Sequence, residues 1–144
     1  MCRLRRFSHL MSLLDTLRKT TKGLAVITEW LGDGGIPVSK EQAEARSKCC
    51  IGCPENVAPG WWDKATGSIA MAMRAMLAVK NECEYHVEKE EEIHVCRVCG
   101  CCNRLSIWTP LEHIKAHTAY EEFKKYPSRC WKPKELTTKP DQAL

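Results

Sequence analysis

Two Cys-x-x-Cys pairs, Cys50/Cys53 and Cys96/Cys99, carry the most specific chemistry in the chain. Such a turn sets two thiolates on one metal at about 2.3 Å without strain, and zinc takes four of them as a tetrahedron. Pro54 and Gly100 follow the pairs directly, where a permissive backbone lets amides turn toward sulfur. The pairs therefore predict a structural zinc site with cysteine ligands. Cys101, two residues past Cys99, and Cys130, just before Trp131, enlarge the candidate set. Four sulfurs close one site; six serve a two-metal cluster or offer a different set of four. The expected cofactor is one zinc ion, or two. Cys49 would replace Cys50 only by losing the x-x spacing. Cys2, Cys83 and Cys102 show no partner and read as buried free thiols.

Other chemistries fit less well. His113 and His117 stand one helical turn apart, a spacing that can hold a metal, but no Glu follows the first of them as a metalloprotease helix requires. They read as ordinary half-buried histidines, and His86 and His94 carry no pattern. A redox dithiol wants a thioredoxin-like βαβ setting, which is missing. A zinc deaminase needs His-x-Glu ahead of Pro-Cys-x-x-Cys, also missing. The paired knuckles are shared with rubredoxin-type iron sites, but not the short aromatic-rich chain. Four thiolates leave no open position to activate water, so the expectation is a protein that is not an enzyme.

The composition sets the frame for that site. The 144 residues include ten cysteines, 44% hydrophobic and 28% charged residues, with a net charge of +4. This is the balance of a folded domain rather than a disordered chain, and the mild positive charge permits a nucleic-acid partner without requiring one. No apolar run is long enough to cross a bilayer. The segment Met1 to Arg6 begins like a secretory signal, but Phe7 to Leu14 is short, interrupted by Ser8, His9 and Ser12, and closed by no cleavage site. The expected compartment is a reducing cytoplasm, where thiolates remain free to bind metal.

The elements that must position the cysteines can be read coarsely. Residues 1–35 form a basic arm and an amphipathic helix with Leu13, Leu17, Leu24, Ile27 and Leu31 on one face, stopped by Gly32-Asp33-Gly34-Gly35. Residues 36–131 form the zinc-binding domain. Ser39 and Gln42 have capping-box spacing, so a short helix over 40–48 leads into the first cysteine pair. A second long helix runs from Trp61 to about Lys80, with Trp62, Ile69, Met73, Met76 and Leu77 on one stripe and Ala65, Ala72, Ala75 and Val79 on another. It reads as buried on two sides. Trp61 would pack on the cysteine site or face a partner. Glu88 to Glu92 reads as a solvated turn or helix end. Ile93–Val98 and Leu105–Trp108 suggest the two strands of a knuckle hairpin. Thr109-Pro110-Leu111-Glu112 looks like a capped helix start, and residues 132–144 read as a mobile polar tail. The fold class is mainly α with a small β-hairpin, the helices gathered round a cysteine-rich zinc knuckle or ribbon-like module.

In chain order, a helix with Ala45-Arg46 runs into Cys50-x-x-Cys53-Pro54-x-Asn56, and a Trp-rich helical insertion follows. Next come Cys96-x-x-Cys99-Gly100-Cys101, a strand ending in Trp108-Thr109-Pro110, and Pro127-x-x-Cys130-Trp131. This order resembles a group of small cysteine-rich zinc-binding proteins encoded in bacteriophage and prophage genomes, over roughly Ile36 to Trp131. The resemblance implies six functional sulfurs, Cys50, Cys53, Cys96, Cys99, Cys101 and Cys130, with Cys49, Cys83 and Cys102 as departures. It implies a host-cytoplasmic location and brings no activity with it. The functional expectation is a structural zinc-binding protein that acts as a protein-interaction module. The alternative is a zinc-dependent DNA or RNA binder, with Arg3, Arg5, Arg6, Lys124, Lys125, Arg129, Lys132 and Lys134 as its basic surface. A thiol redox protein ranks third.

Overall fold

The computed structural model describes Lys19, residues 22–58 and residues 60–137, without the side chains of residues 61–63, 65, 66 and 137. Expectations for Cys2, Arg3, Arg5, Arg6, Leu13, Leu17, the Trp61 and Trp62 side chains and residues 138–144 lie outside the described residues. The chain is mainly helical, with a small two-stranded antiparallel sheet.

Helix α1 covers 22–32. Val26 and Trp30, one turn apart, are its buried residues, Ile27 and Leu31 pack beside them, and Leu24 faces solvent. The apolar face is thus centred on Trp30 rather than on Leu24. The Trp30 indole donates to the Ile36 carbonyl at 2.8 Å. The helix closes when the Gly35 N–H donates to the Trp30 carbonyl at 2.8 Å. Gly35 has φ +66°, and a Cβ there would stand 2.4 Å from Leu77 Cδ2. Left-handed backbone and close approach together require glycine.

Helix α2, Lys40–Ile51, starts as expected: Ser39 Oγ accepts from the Gln42 N–H at 3.2 Å. It extends past residue 48, so Cys49 and Cys50 sit on its last turn. Strand β1, Asn56–Val57, precedes the long helix α3, Trp61–Asn81. Ala70 and Leu77 of α3 are buried, whereas Ile69 is half exposed and Met76 and Val79 are 69% and 81% exposed. Among the described residues the helix therefore packs on one side, and Ala72, Ala75 and Val79 of its second apolar stripe face outward. Glu90–Glu92 form a 3-10 turn that is not wholly solvated, because Glu90 is buried, ion-paired with Arg74 and within hydrogen-bond distance of His86 Nδ1.

Strand β2, Val95–Cys96, pairs antiparallel with β1, Asn56 opposite Cys96 and Val57 opposite Val95. The sheet thus joins segments separated by all of α3. The knuckle arm opposite β2 is Cys101–Asn103: Cys96 N–H donates to the Cys101 carbonyl and Asn103 N–H to the His94 carbonyl. Leu105–Trp108 is not the second strand. Helix α4, Asn103–Ser106, takes up its first half, and Leu105, Ile107 and Trp108 are all buried. A short apolar run buried on every side has no periodicity to separate strand from helix.

Helices α5 (Leu111–Ala116), α6 (Tyr120–Phe123) and α7 (Trp131–Thr137) complete the described chain. Thr109 does not cap α5, because its buried hydroxyl donates back to the Leu105 carbonyl at 3.2 Å. Residues 132–137, the first part of the expected tail, are helical instead. They belong to α7, with Trp131 in the main core and Lys132 only 2% exposed. Pro133 falls in its first turn, where no intrahelical N–H is lost. The tie that holds α7 is Arg46. This side chain is 1% exposed, lies 4.1 Å over the Trp131 ring, donates to the Ile107 and Thr109 carbonyls, and pairs with Glu135 through two nitrogens.

Candidate metal centre

The sulfurs singled out by spacing come together from separate stretches of chain. Cys50 arrives on the last turn of α2, and the turn that follows brings Cys53, whose N–H donates to the Cys50 carbonyl at 3.0 Å. Cys96 ends β2, and a tight turn through Gly100, at φ +72°, carries Cys99 and Cys101. Its closing bond runs from the Gly100 N–H to the Cys96 carbonyl at 2.7 Å. Cys130 stands at the threshold of α7. Glu55 and Arg97 tie the two knuckles by a side-chain ion pair at 2.9 Å and by the Arg97 N–H on the Glu55 carbonyl.

Cys50, Cys53, Cys96 and Cys130 line one small cavity of about 20 Å³ together with Cys49, Trp131 and Lys132. A space of that size holds a single ion or water. Cys96, Cys99 and Cys130 cluster with Tyr126, and Cys101 packs against them. All six predicted sulfurs therefore surround one region. They are spaced more openly than a closed tetrahedron: among the described residues no cysteine trio holds its sulfurs within 4.8 Å of one another. Closure on a metal needs the knuckle loops to draw inward. No disulfide joins the described cysteines, and Cys83 is exposed, against the expectation of a buried thiol. Cys102 packs at the edge of the main core.

Lys132 is the residue that spacing could not reveal. Its ammonium lies 3.1 Å from Cys99 Sγ in a buried setting. Hydrogen bonds from Cys101 and Cys96 to Cys99, followed by the Lys132 charge, hold the Cys99 thiol well below its ordinary range despite burial. Burial opposes the charge on Lys132, but the negative Cys99 sulfur, the foremost of the groups that raise it, keeps it protonated. Donation to Cys99 and burial push Cys96 and Cys101 up. Burial raises Cys130 and takes Cys50 to about 11, although the Trp131 indole donates to Cys50 Sγ at 3.4 Å. Without metal, the sulfurs thus share little negative charge beyond Cys99.

That arrangement fits a metal–thiolate group. An ammonium removed from water needs a lasting anionic partner. Zinc held by four thiolates carries two net negative charges, and Lys132 stands where it would balance part of them. The indole N–H of Trp131 on Cys50 is the outer hydrogen bond that such sulfurs use. The same burial disfavours a redox role, because Cys99, the thiol held lowest, is buried. Of the basic surface considered for nucleic acid, Lys132 is lost to the interior, and Lys124 is paired with Glu121. Lys125 and Arg129 remain exposed. No family model, curated protein or solved structure matches the chain.

No described helix is long and apolar enough to cross a membrane.

Proposed function

We propose that this is a structural zinc-binding protein that acts, without catalysis, as a protein-interaction module in a reducing cytoplasm, in keeping with a phage-encoded origin. The observation that carries the reading is the buried Lys132 set among six sulfurs drawn from three knuckle segments. Cys50, Cys53, Cys96, Cys99, Cys101 and Cys130 would hold the metal, which supplies folding free energy by cross-linking α2, β2 and α7. Support for a protein partner comes from α3. Ile69, Ala72, Met76 and Val79 are all exposed and recur at alternating three- and four-residue steps, the spacing of a helix-packing seam. The partner it suits is an amphipathic helix laid along that seam.

Introducing Val79→Asp on the exposed face separates the two halves of this reading. Zinc content and helicity should match the parent chain, while association, followed by sedimentation and by retention of a co-purifying partner, should be lost. Association untouched by the substitution contradicts the interaction surface. Salt-sensitive binding of DNA or RNA by the zinc-loaded chain at low ionic strength would favour the nucleic-acid alternative instead.

A further inference from the structure

Away from the cysteines, the end of α1 meets α5 through a second group of metal-ligating side chains. Glu29 lies in the last turn of α1 and Asp33 just past its end, where the Asp33 N–H donates to the Glu29 carbonyl at 3.0 Å; His113 lies in α5 and His117 caps its C-terminus. Glu29, Asp33 and one nitrogen of His113 have ligand atoms within 4.8 Å of one another. His113 is buried and presents both ring nitrogens to carboxylates: Nδ1 is 3.4 Å from Glu29 Oε1, and Nε2 is 3.7 Å from Asp33 Oδ2. One ring nitrogen can donate its hydrogen to a carboxylate while the other offers a lone pair to a cation. His117 Nε2 hydrogen-bonds the other Glu29 oxygen and fixes the carboxylate from the far side.

We propose that Glu29, Asp33 and His113 form a second divalent-metal site of the zinc class, with His117 as the positioning partner of Glu29 and water in the fourth position. The ligand chemistry sets the class. Imidazole with carboxylates suits zinc and its first-row neighbours, while magnesium and calcium prefer an all-oxygen shell. Histidine–carboxylate hydrogen bonds of the His117–Glu29 kind orient ligands in such sites. The bound ion would pin the C-terminal end of α1 to α5. The site shares no ligand with the cysteine centre, so either could exist alone.

The test is a titration of the full chain with cobalt(II) and zinc(II), comparing the parent with Asp33→Asn and Glu29→Gln. Both substitutions are nearly isosteric, and Asp33 is 69% exposed, so the fold should survive. Cobalt at the cysteines gives intense thiolate charge-transfer absorption; cobalt at this site does not. The expected result is a bound equivalent lacking thiolate absorption in the parent, weakened about tenfold or more in both variants. The thiolate signal should be unchanged. Absence of that equivalent in the parent, or its persistence at full affinity in both variants, overturns the proposal and leaves an ion-paired histidine cluster. If thiolate absorption is missing while the second equivalent remains, the cysteine-centre reading fails and this one stands.

Discussion

Lys132 Nζ lies 3.1 Å from Cys99 Sγ, and both groups are buried. A charge pair this dry is a commitment of the fold, because removing either member strands the other without water. It makes the cysteine centre an electrostatic unit in which the chain supplies a positive charge where metal-bound sulfur would concentrate a negative one.

Substituting Lys132→Met keeps the volume and removes the charge. Zinc affinity should fall by about 10–100-fold, the range seen when an outer partner of a metal ligand is lost. Competition against a chromophoric chelator measures this. An affinity equal to that of the parent chain would show that Lys132 does not balance the site.

If zinc binds at the cysteines as proposed, it must also displace protons. Burial takes Cys50 up to about 11, and Cys96, Cys101 and Cys130 are likewise raised, so these sulfurs carry protons at neutral pH when no metal is bound. The metal-bound thiolates carry none. Affinity should therefore strengthen as pH rises from about 6 to 8, with proton release visible by calorimetry in buffers of different ionisation enthalpy. A flat profile would mean that the protonated thiols are not the ligands.

Arg46 holds α2 to α7 and to the turn before α5. Arg46→Ala leaves the Ile107 and Thr109 carbonyls without their donor and Glu135 without its cation. The expected loss is about 3–5 kcal/mol in urea unfolding of the metal-loaded chain. Glu135→Gln keeps a hydrogen-bond acceptor and should cost less.

Gly35→Ala tests the α1–α3 contact. At φ +66° and with Leu77 Cδ2 2.4 Å from the new Cβ, the substitution should destabilise by about 1–3 kcal/mol, read as a lower melting temperature. Gly67→Ala, where a Cβ meets nothing within 4 Å, is the matched control and should be neutral or slightly stabilising.

What could be read from the sequence was local. The Cys-x-x-Cys pairs, the Ser39 cap and the glycine stop after α1 each rest on a few adjacent residues whose chemistry dictates one geometry. The mainly helical class followed from those signals and from apolar periodicity. What escaped was tertiary. Lysines are ordinarily solvated, so nothing in Trp131-Lys132-Pro133 announces a buried ammonium, and the polar, proline-containing run from Lys132 onward reads as a tail. The outward turn of Met76 and Val79 depends on which side of α3 finds a neighbour. His113 and His117 looked idle because their carboxylate partner, Glu29, is 84 and 88 residues away in the chain.

The cysteine centre is tested most directly by native mass spectrometry with elemental analysis on full-length protein prepared without chelator, for the parent chain and for Cys96→Ser/Cys99→Ser. Zinc should be present in the parent, lost together with the folded charge-state distribution on chelation, and reduced in count in the double variant. A parent chain that is folded and free of thiolate-bound zinc, with its cysteines as free thiols or as disulfides that lower the mass in pairs of hydrogens, would contradict the cysteine-centre reading.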